Sequence, residues 1–447
     1  MGDIMRNYDA IGVQVPRILL PKKNIDLTKW AVVACDQYTS QPDYWKKVDE
    51  LVGASPSTFR IIYPEIYLEE AGKEERIKKI QSTMKEYLKN SIFEEHEAII
   101  YVERRLHSSK VRRGIILALD LERYDYTKGS ESLIRATEGT ILERIPPRMK
   151  IREKALLESP HIMILIDDPK KTVIEPLDSF KQGMRKLYDF ELMMGSGHLA
   201  GFAVDYASEA KIIAALRRLA DQIVFRKKYA LNEDNPVLLF AMGDGNHSLA
   251  TAKAIWEKKK QGIKDKEELA KDPARYALAE VVNLHDESLV FEPIHRVLFN
   301  LRANLVDEIS KHYAGKVSYK KCSGFEEMKR LVKESSAKLH RIGYINGIEM
   351  GLIEVKEPSH SLAVNTLQIF LDVFMVSKLA EKIDYVHGDD IVRVLGSQKG
   401  NVGLYLPAMR KDELFKAVIL NGVVPRKTFS MGEADEKRFY MEARKIK

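Results

Sequence analysis

The sequence predicts an α+β protein built from more than one domain. Three observations carry that expectation. The chain has 447 residues, too many for one ordinary hydrophobic core. Apolar strand-like runs and charged helical runs are interleaved along most of it. From about Asn300 the pattern becomes helix, strand, helix and two strands with apolar faces of their own.

The elements follow in order. "WAVVAC", Trp30 to Cys35, reads as a buried strand, and a helix starts after Pro42. "AGKEERIKKIQSTMKEYLKN" is a long charged helix. "EAIIYVERRL", "RRGIILALDL", "HIMILIDDP" and "GHLAGFAVD" are strands, and "RMKIREKALLESP" is a polar helix. "SEAKIIAALRRLADQIV" is a helix, and "RKKYALNEDNP" is a polar connection. Beyond Asn300, "LVDEISKHYAG" and "FEEMKRLVKESSAK" are helices, "HRIGYINGIEMGLIEVK" holds two strands, and "NTLQIFLDVFMVSKLAEKI" closes the unit as a helix. From Asp384 the tail reads as short strands.

Composition narrows the function classes. Apolar residues make up 45% and charged residues 31%, the balance of a globular chain. Lys and Arg number 72 against 65 Asp and Glu, a net +7 that suits small anionic ligands and does not call for nucleic acid. Two distant cysteines, Cys35 and Cys322, give neither a disulfide framework nor a zinc site. The opening residues carry charge and lack an apolar leader core, and no run approaches the ~18 apolar residues of a membrane span. A cytoplasmic location without membrane partners is therefore expected. Assembly into a homo-oligomer is left open.

The chemistry concentrates in "VLLFAMGDGNHSLATAKAIWEKKK", where an apolar strand runs into a helix through Gly243-Asp244-Gly245-Asn246-His247-Ser248. Glycines let backbone N–H groups approach an anion, and the first helical turn has unpaired N–H groups and a partial positive charge. Such a junction binds phosphate. Asn246 and Ser248 add neutral donors, and His247 adds a donor or a charge. Asp244 would repel a bare phosphate, so it is expected to bind a hydroxyl, orient His247, or hold a divalent cation such as Mg2+. The plainer alternative is a helix cap, since Asp, Asn, Ser and Gly are all common there. No Walker A spacing is present. Gly195-Ser196-Gly197 precedes a strand and reads as a turn.

This junction is similar to the phosphate-binding box of the ParB/sulfiredoxin superfamily, which includes free-serine kinases. Over nearly its whole length the chain resembles domain-of-unknown-function family 1015. "WAVVACDQY", "IRATEGTILERIPPR", "HIMILIDDP", "GDGNHSLATA", "EVVNLHDESLVFEPIHRVLF" and "NGVVPRKTF" carry that resemblance. In many relatives an arginine stands where this chain has Ser248, and histidine often stands at Asn246. The resemblance implies a ParB/sulfiredoxin-like core with N-terminal elaborations over residues 1–300; the sequence pattern adds an α+β unit over 301–383 and C-terminal strands, 384–447, expected to pack back on the core. The resemblance also implies an acidic general base from the N-terminal part. Asp36, at a strand end, takes that role by position, with a turn aspartate as the alternative.

Further candidates lie elsewhere. Arg135, Glu138 and Arg144 sit in a segment too polar for core, and an arginine there could hold a substrate carboxylate. A solvated, salt-bridged face is the alternative. His295-Arg296 could reach a phosphate or simply anchor a loop. Lys427 could complete an anion site from the tail or lie on the surface. These features lead to a phosphotransferase acting on a small hydroxylated metabolite. Free serine or phosphoserine is the substrate implied by resemblance, with a nucleotide or diphosphate as donor. A nucleotide-responsive DNA-binding regulator and a non-catalytic ligand-binding protein are the competing readings.

Overall fold

The computed structural model describes residues 5–68, 71–159, 161–232 and 235–447. The first four residues, Pro160 after the polar helix, and Glu233 and Asp234 of the polar connection lie outside the described residues. The fold is mixed α+β, with helices and several sheets. No helix among the described residues is long and apolar enough to cross a membrane.

Two compact units divide the chain: Met1–Leu289 with Glu433–Lys447, and Val290–Gly432. The division falls at Leu289, within about 15 residues of the expected boundary near 300, because the strand Phe291–Phe299 pairs with Lys382–His387, Val402–Tyr405 and Phe429–Met431. The same pairings draw residues 384–432 into the second unit. Of the expected C-terminal segment, only Glu433–Lys447 belongs to the first unit.

The first unit is built on an eleven-stranded sheet. Its main path runs Arg185–Glu191, His198–Ala203, Ile100–Arg105, Val111–Asp120, Tyr276–Asn283, Met163–Ile166, Phe240–Asp244, Ile134–Arg135 and Tyr124–Asp125. Val111–Asp120 and Tyr276–Asn283 are nearly continuous apolar runs because both faces are covered. Alternate residues separate into two cores. Ile115, Leu117 and Leu119 pack with Leu216, Leu249 and Trp256, whereas Ile116 and Leu278 pack with Trp30, Trp45 and Met441. The second unit carries a seven-stranded antiparallel sheet.

Local capping explains where the structure departs from the sequence reading. Asp26 accepts the Thr28 amide at 3.0 Å and starts a helical turn, Leu27–Trp30, so the "WAVVAC" strand shrinks to Val32–Val33. Asp221 caps a second helix, Gln222–Tyr229, which takes up the first part of the polar connection. The tail from Asp384 contains two helices, Asp389–Gly396 and Lys411–Asn421, among its strands. Gly195 and Gly197 adopt positive φ in the turn before His198–Ala203, as expected.

The segment Glu433–Lys447 is fastened by buried charge. Arg438 bonds Glu280 at 2.5 Å and also bonds Glu442, which accepts from the Tyr188 hydroxyl. All four residues are buried. Glu280 fits because Gly114 faces it; a Cβ there would stand 2.7 Å from the Glu280 carboxylate. Breaking a buried pair from one side costs about 3–5 kcal/mol, because the remaining charge has no solvent to turn to. Arg438→Ala is therefore expected to lower the stability of the first unit by about that amount. The three tryptophans, Trp30, Trp45 and Trp256, all lie in this unit, so urea unfolding followed by tryptophan fluorescence reads the loss. An unchanged midpoint would contradict the proposed weight of the network.

Candidate functional site

The quoted junction forms as expected. The strand Phe240–Asp244 ends at Asp244, and a helix runs over Asn246–Lys260. Gly245 alone links them, at φ 80°, the left-handed region that glycine enters without a Cβ clash. A Cβ there would also stand 3.1 Å from the Ile162 Cα. That close approach follows from the sheet, where Met163 pairs antiparallel with Asp244 and lays His161 and Ile162 beside the turn.

Ser248 is the first helical residue whose amide bonds back, to the Gly245 carbonyl at 2.9 Å. The amides of Asn246 and His247 thus lie ahead of the intrahelical ladder. Gly243, Asp244, Asn246, His247 and Ser248 are all half-buried, so the turn is not sealed into the core. The Asn246 Oδ1 atom is buried without a hydrogen-bond partner among the described residues. The His247 carbonyl accepts from Thr251 Oγ1 at 2.6 Å, which stiffens the first turn.

Four further groups converge here. His161, 6% exposed, is 3.6 Å from the Asp36 carboxylate and 3.4 Å from Ser248 Oγ through its Nε2 atom. Its Nδ1 atom is 2.6 Å from the Tyr440 hydroxyl. The Cys35 amide donates to the same hydroxyl at 3.2 Å. Lys437 reaches Asp244 at 3.3 Å. Asp244 also accepts the Gly245 amide at 2.9 Å. Lys437 is held from behind by two buried arginines: Arg104 donates to the Asp435 carbonyl and Arg112 to the Glu436 carbonyl, each at 2.8 Å.

The electrostatics are those of an ion pair. Burial alone would raise the Asp36 carboxyl, but the charge of His161, 3.6 Å away, and the Gln37 amide, which donates to it at 2.9 Å, outweigh that and hold it well below the usual carboxylate range. Burial alone would lower His161, but Asp36 outweighs that and holds the imidazole well above its usual 6.5. The pair is therefore ionised at neutral pH. It leaves a cation beside the helix N-terminus, and a carboxylate that is a weak base.

Of the sequence candidates, Asp36, Asp244, Gly243, Gly245, Asn246, His247 and Ser248 are gathered here. Thr137 bonds the Met242 carbonyl at 2.8 Å, and parallel pairing of Ala241 with Arg135 brings the half-buried Glu138 level with Asp244. Arg135 itself is buried and donates to the backbone carbonyls of Ser132, Pro236 and Val237, an anchoring role in place of the expected carboxylate grip. Arg144 is exposed next to a short polar helix. His295, Arg296 and Lys427 belong to the second unit and serve its packing. His295 stacks on Tyr405 at 4.1 Å, accepts the Leu406 amide at 3.1 Å, and is lowered to about 4, mainly by burial. Arg296 donates to the carbonyls of Ile294 and Lys427 and lies over Tyr385. The exposed Lys427 contributes that carbonyl from a left-handed residue, φ 58°.

Sequence reasoning missed His161, Lys437 and Tyr440. The strand "HIMILIDDP" was legible, and a histidine at its open end was the available signal for the first. Nothing in the sequence pointed to the other two.

Asp36→Asn is expected to remove the charge that holds His161 protonated. The imidazole ring-proton NMR titration should then move down to 6.5 or below. The pair's contribution to stability has two limits. The raised His161 contributes fully below 6.5 and is lost as pH rises through its folded value. The depressed Asp36 contributes fully above 3.8 and is lost as pH falls through its folded value. An unmoved His161 titration in the variant would contradict the pairing.

Comparison with known proteins places the chain. A sequence-family model described as "Protein of unknown function (DUF1015)" matches residues 19–374. No curated protein matches the chain. Among solved structures, a free serine kinase variant in complex with AMP matches at 10% identity, covering 75% of this chain and 93% of that one, with a TM-score of 0.39. A variant of free serine kinase in complex with ADP gives the same identity, coverages and TM-score: 10%, 75%, 93% and 0.39. A conserved hypothetical protein from Pyrococcus furiosus matches at 11% identity over 72% of this chain and 91% of that one, with a TM-score of 0.34.

Proposed function

The chain belongs to the DUF1015 family, and from that premise we propose that the junction at Gly243–Ser248 binds phosphate and makes the protein a phosphotransferase acting on a small hydroxylated metabolite. The observation that supports this most is the convergence of Lys437 and the Asp36-paired His161 on a helix whose first amides lie ahead of the intrahelical ladder, which begins at Ser248. The amides of Asn246 and His247 would bind phosphate oxygens along the helix dipole. Lys437, now countered by Asp244, would turn to the ligand, and His161 would add its charge. Charge-assisted bonds of this kind are the strong ones.

Asp36 orients the substrate hydroxyl more readily than it removes the proton, since its basicity is depressed. Phosphoryl transfer through a loose transition state tolerates that, because positioning and charge neutralisation dominate its catalysis. Free serine or phosphoserine is the first substrate to test, on the sequence resemblance of the junction to free-serine kinases alone. A nucleotide or a diphosphate is the donor. The Mg2+ expectation finds weaker support. No group of three or more His, Cys, Asp or Glu side chains among the described residues is placed to hold a metal, and Asp244 is already countered by Lys437. A resident cation does not fit this donor set.

One observation favours a non-catalytic ligand-binding protein: the carboxylate paired with His161 among the described residues is a poor base, and Ser248 offers no charge. Calorimetric titration with ADP, ATP and pyrophosphate, beside phosphorus NMR of the same mixtures with serine, separates the two. Lys437→Ala and His247→Ala are each expected to weaken binding about tenfold or more, the worth of a charge-assisted hydrogen bond, with the melting temperature within a few degrees. Binding without transfer would favour the second reading. Undiminished affinity in both variants would refute the site, and unfolding of His247→Ala would mark that residue as structural.

A further inference from the structure

The loop between the strand Val32–Val33 and the helix Pro42–Val52 carries Asp36 to His161 and, two residues later, Tyr38. Tyr38 has φ 53°, a left-handed conformation that a non-glycine residue rarely adopts. Its ring lies face to face with Tyr44, centroids 3.7 Å apart and planes 14° off parallel. Tyr44 meets Trp45 edge-on at 5.5 Å, and Trp45 stacks on Phe59 at 6.0 Å. Trp45 is fully buried and its indole N–H donates to the Gln37 carbonyl at 3.2 Å. The loop is thus pinned from the core side, and the outermost ring of the run, half-buried Tyr38, is a rigid aromatic surface.

The surroundings of that ring are acidic. Glu433 and Asp435 act on the Tyr38 hydroxyl, which burial and then these charges push up. They belong to the segment that carries Lys437. Asp435 pairs with His107 at 2.9 Å. A phosphate is disfavoured beside two carboxylates, whereas a flat ring bearing N–H donors is not. The polarity therefore runs from a cationic end, at Lys437, His161 and the helix N-terminus, to an aromatic and acidic end at Tyr38.

We propose that the stacked Tyr38–Tyr44 pair is a platform for the aromatic base of the phosphate ligand, so that the site takes a nucleotide with an amino-bearing base in preference to an inorganic polyphosphate. This rests on the phosphate-binding reading above. Stacking on an aromatic side chain tolerates different bases, because every base has a π face, and the carboxylates supply acceptors for the exocyclic amine.

Calorimetry on the full chain with ATP and inorganic triphosphate tests this. Wild-type protein is expected to bind ATP at least tenfold more tightly than triphosphate. Tyr38→Leu, which keeps a side chain at the left-handed position, is expected to weaken ATP about tenfold while leaving triphosphate unchanged. Tyr38→Phe is expected to keep wild-type affinity for both. Equal wild-type affinities, or a Tyr38→Leu variant that loses both ligands in the same proportion, would overturn the platform and leave the phosphate site standing. Binding of neither ligand to wild-type protein would overturn both.

Discussion

The first unit depends on the burial of Glu280 and Glu442 against Arg438. Carboxylates taken from water must be paired, and the cation that pairs these two arrives from the far end of the sequence. The pairing acts together with Phe439, Tyr440, Met441, Ala443 and Ile446, which the segment buries against the central sheet. Arg444 repeats the arrangement on Glu158 at 2.8 Å. The proposed site follows from the same constraint, because the segment fastened in this way carries Lys437 and Tyr440 to the strand–helix junction.

The junction is shaped by a second constraint, the left-handed Gly245. A single residue between strand and helix leaves no room for a longer loop, so the helix starts where the strand stops. The antiparallel neighbour then lays His161 against the turn, within 3.4 Å of Ser248 Oγ. One residue type at one position thus sets both the direction of the first helical amides and the place of the imidazolium. Asp36, 3.6 Å from the same Nε2 atom of His161, balances that imidazolium, which makes the charge affordable in a buried position and weakens Asp36 as a base. In the proposed phosphate site, binding strength and proton-accepting power would therefore trade against one another.

Legibility in the sequence followed the range of the interactions. The strands Val111–Asp120 and Met163–Ile166 and the helix Lys73–Lys89 were readable because their apolar or amphipathic periodicity is local. The junction was readable because its glycines, Asn, His and Ser are adjacent in the chain. Where a short-range cap competes with an apolar run, as Asp26 does ahead of Val32, the run misleads. Lys437 and Tyr440 were invisible because their partners stand roughly 190 and 280 positions away and no local pattern marks a long-range ion pair. Arg135 and Arg296 drew notice as charges in unusual company. The structure uses them on backbone carbonyls, a purpose that leaves the same trace in the sequence as ligand binding.

The most direct measurement is the electron density of crystals grown with ADP. The account predicts the phosphates at the amides of Asn246 and His247, within hydrogen-bond reach of Lys437 and His161. ADP bound elsewhere, with that turn empty, would contradict it.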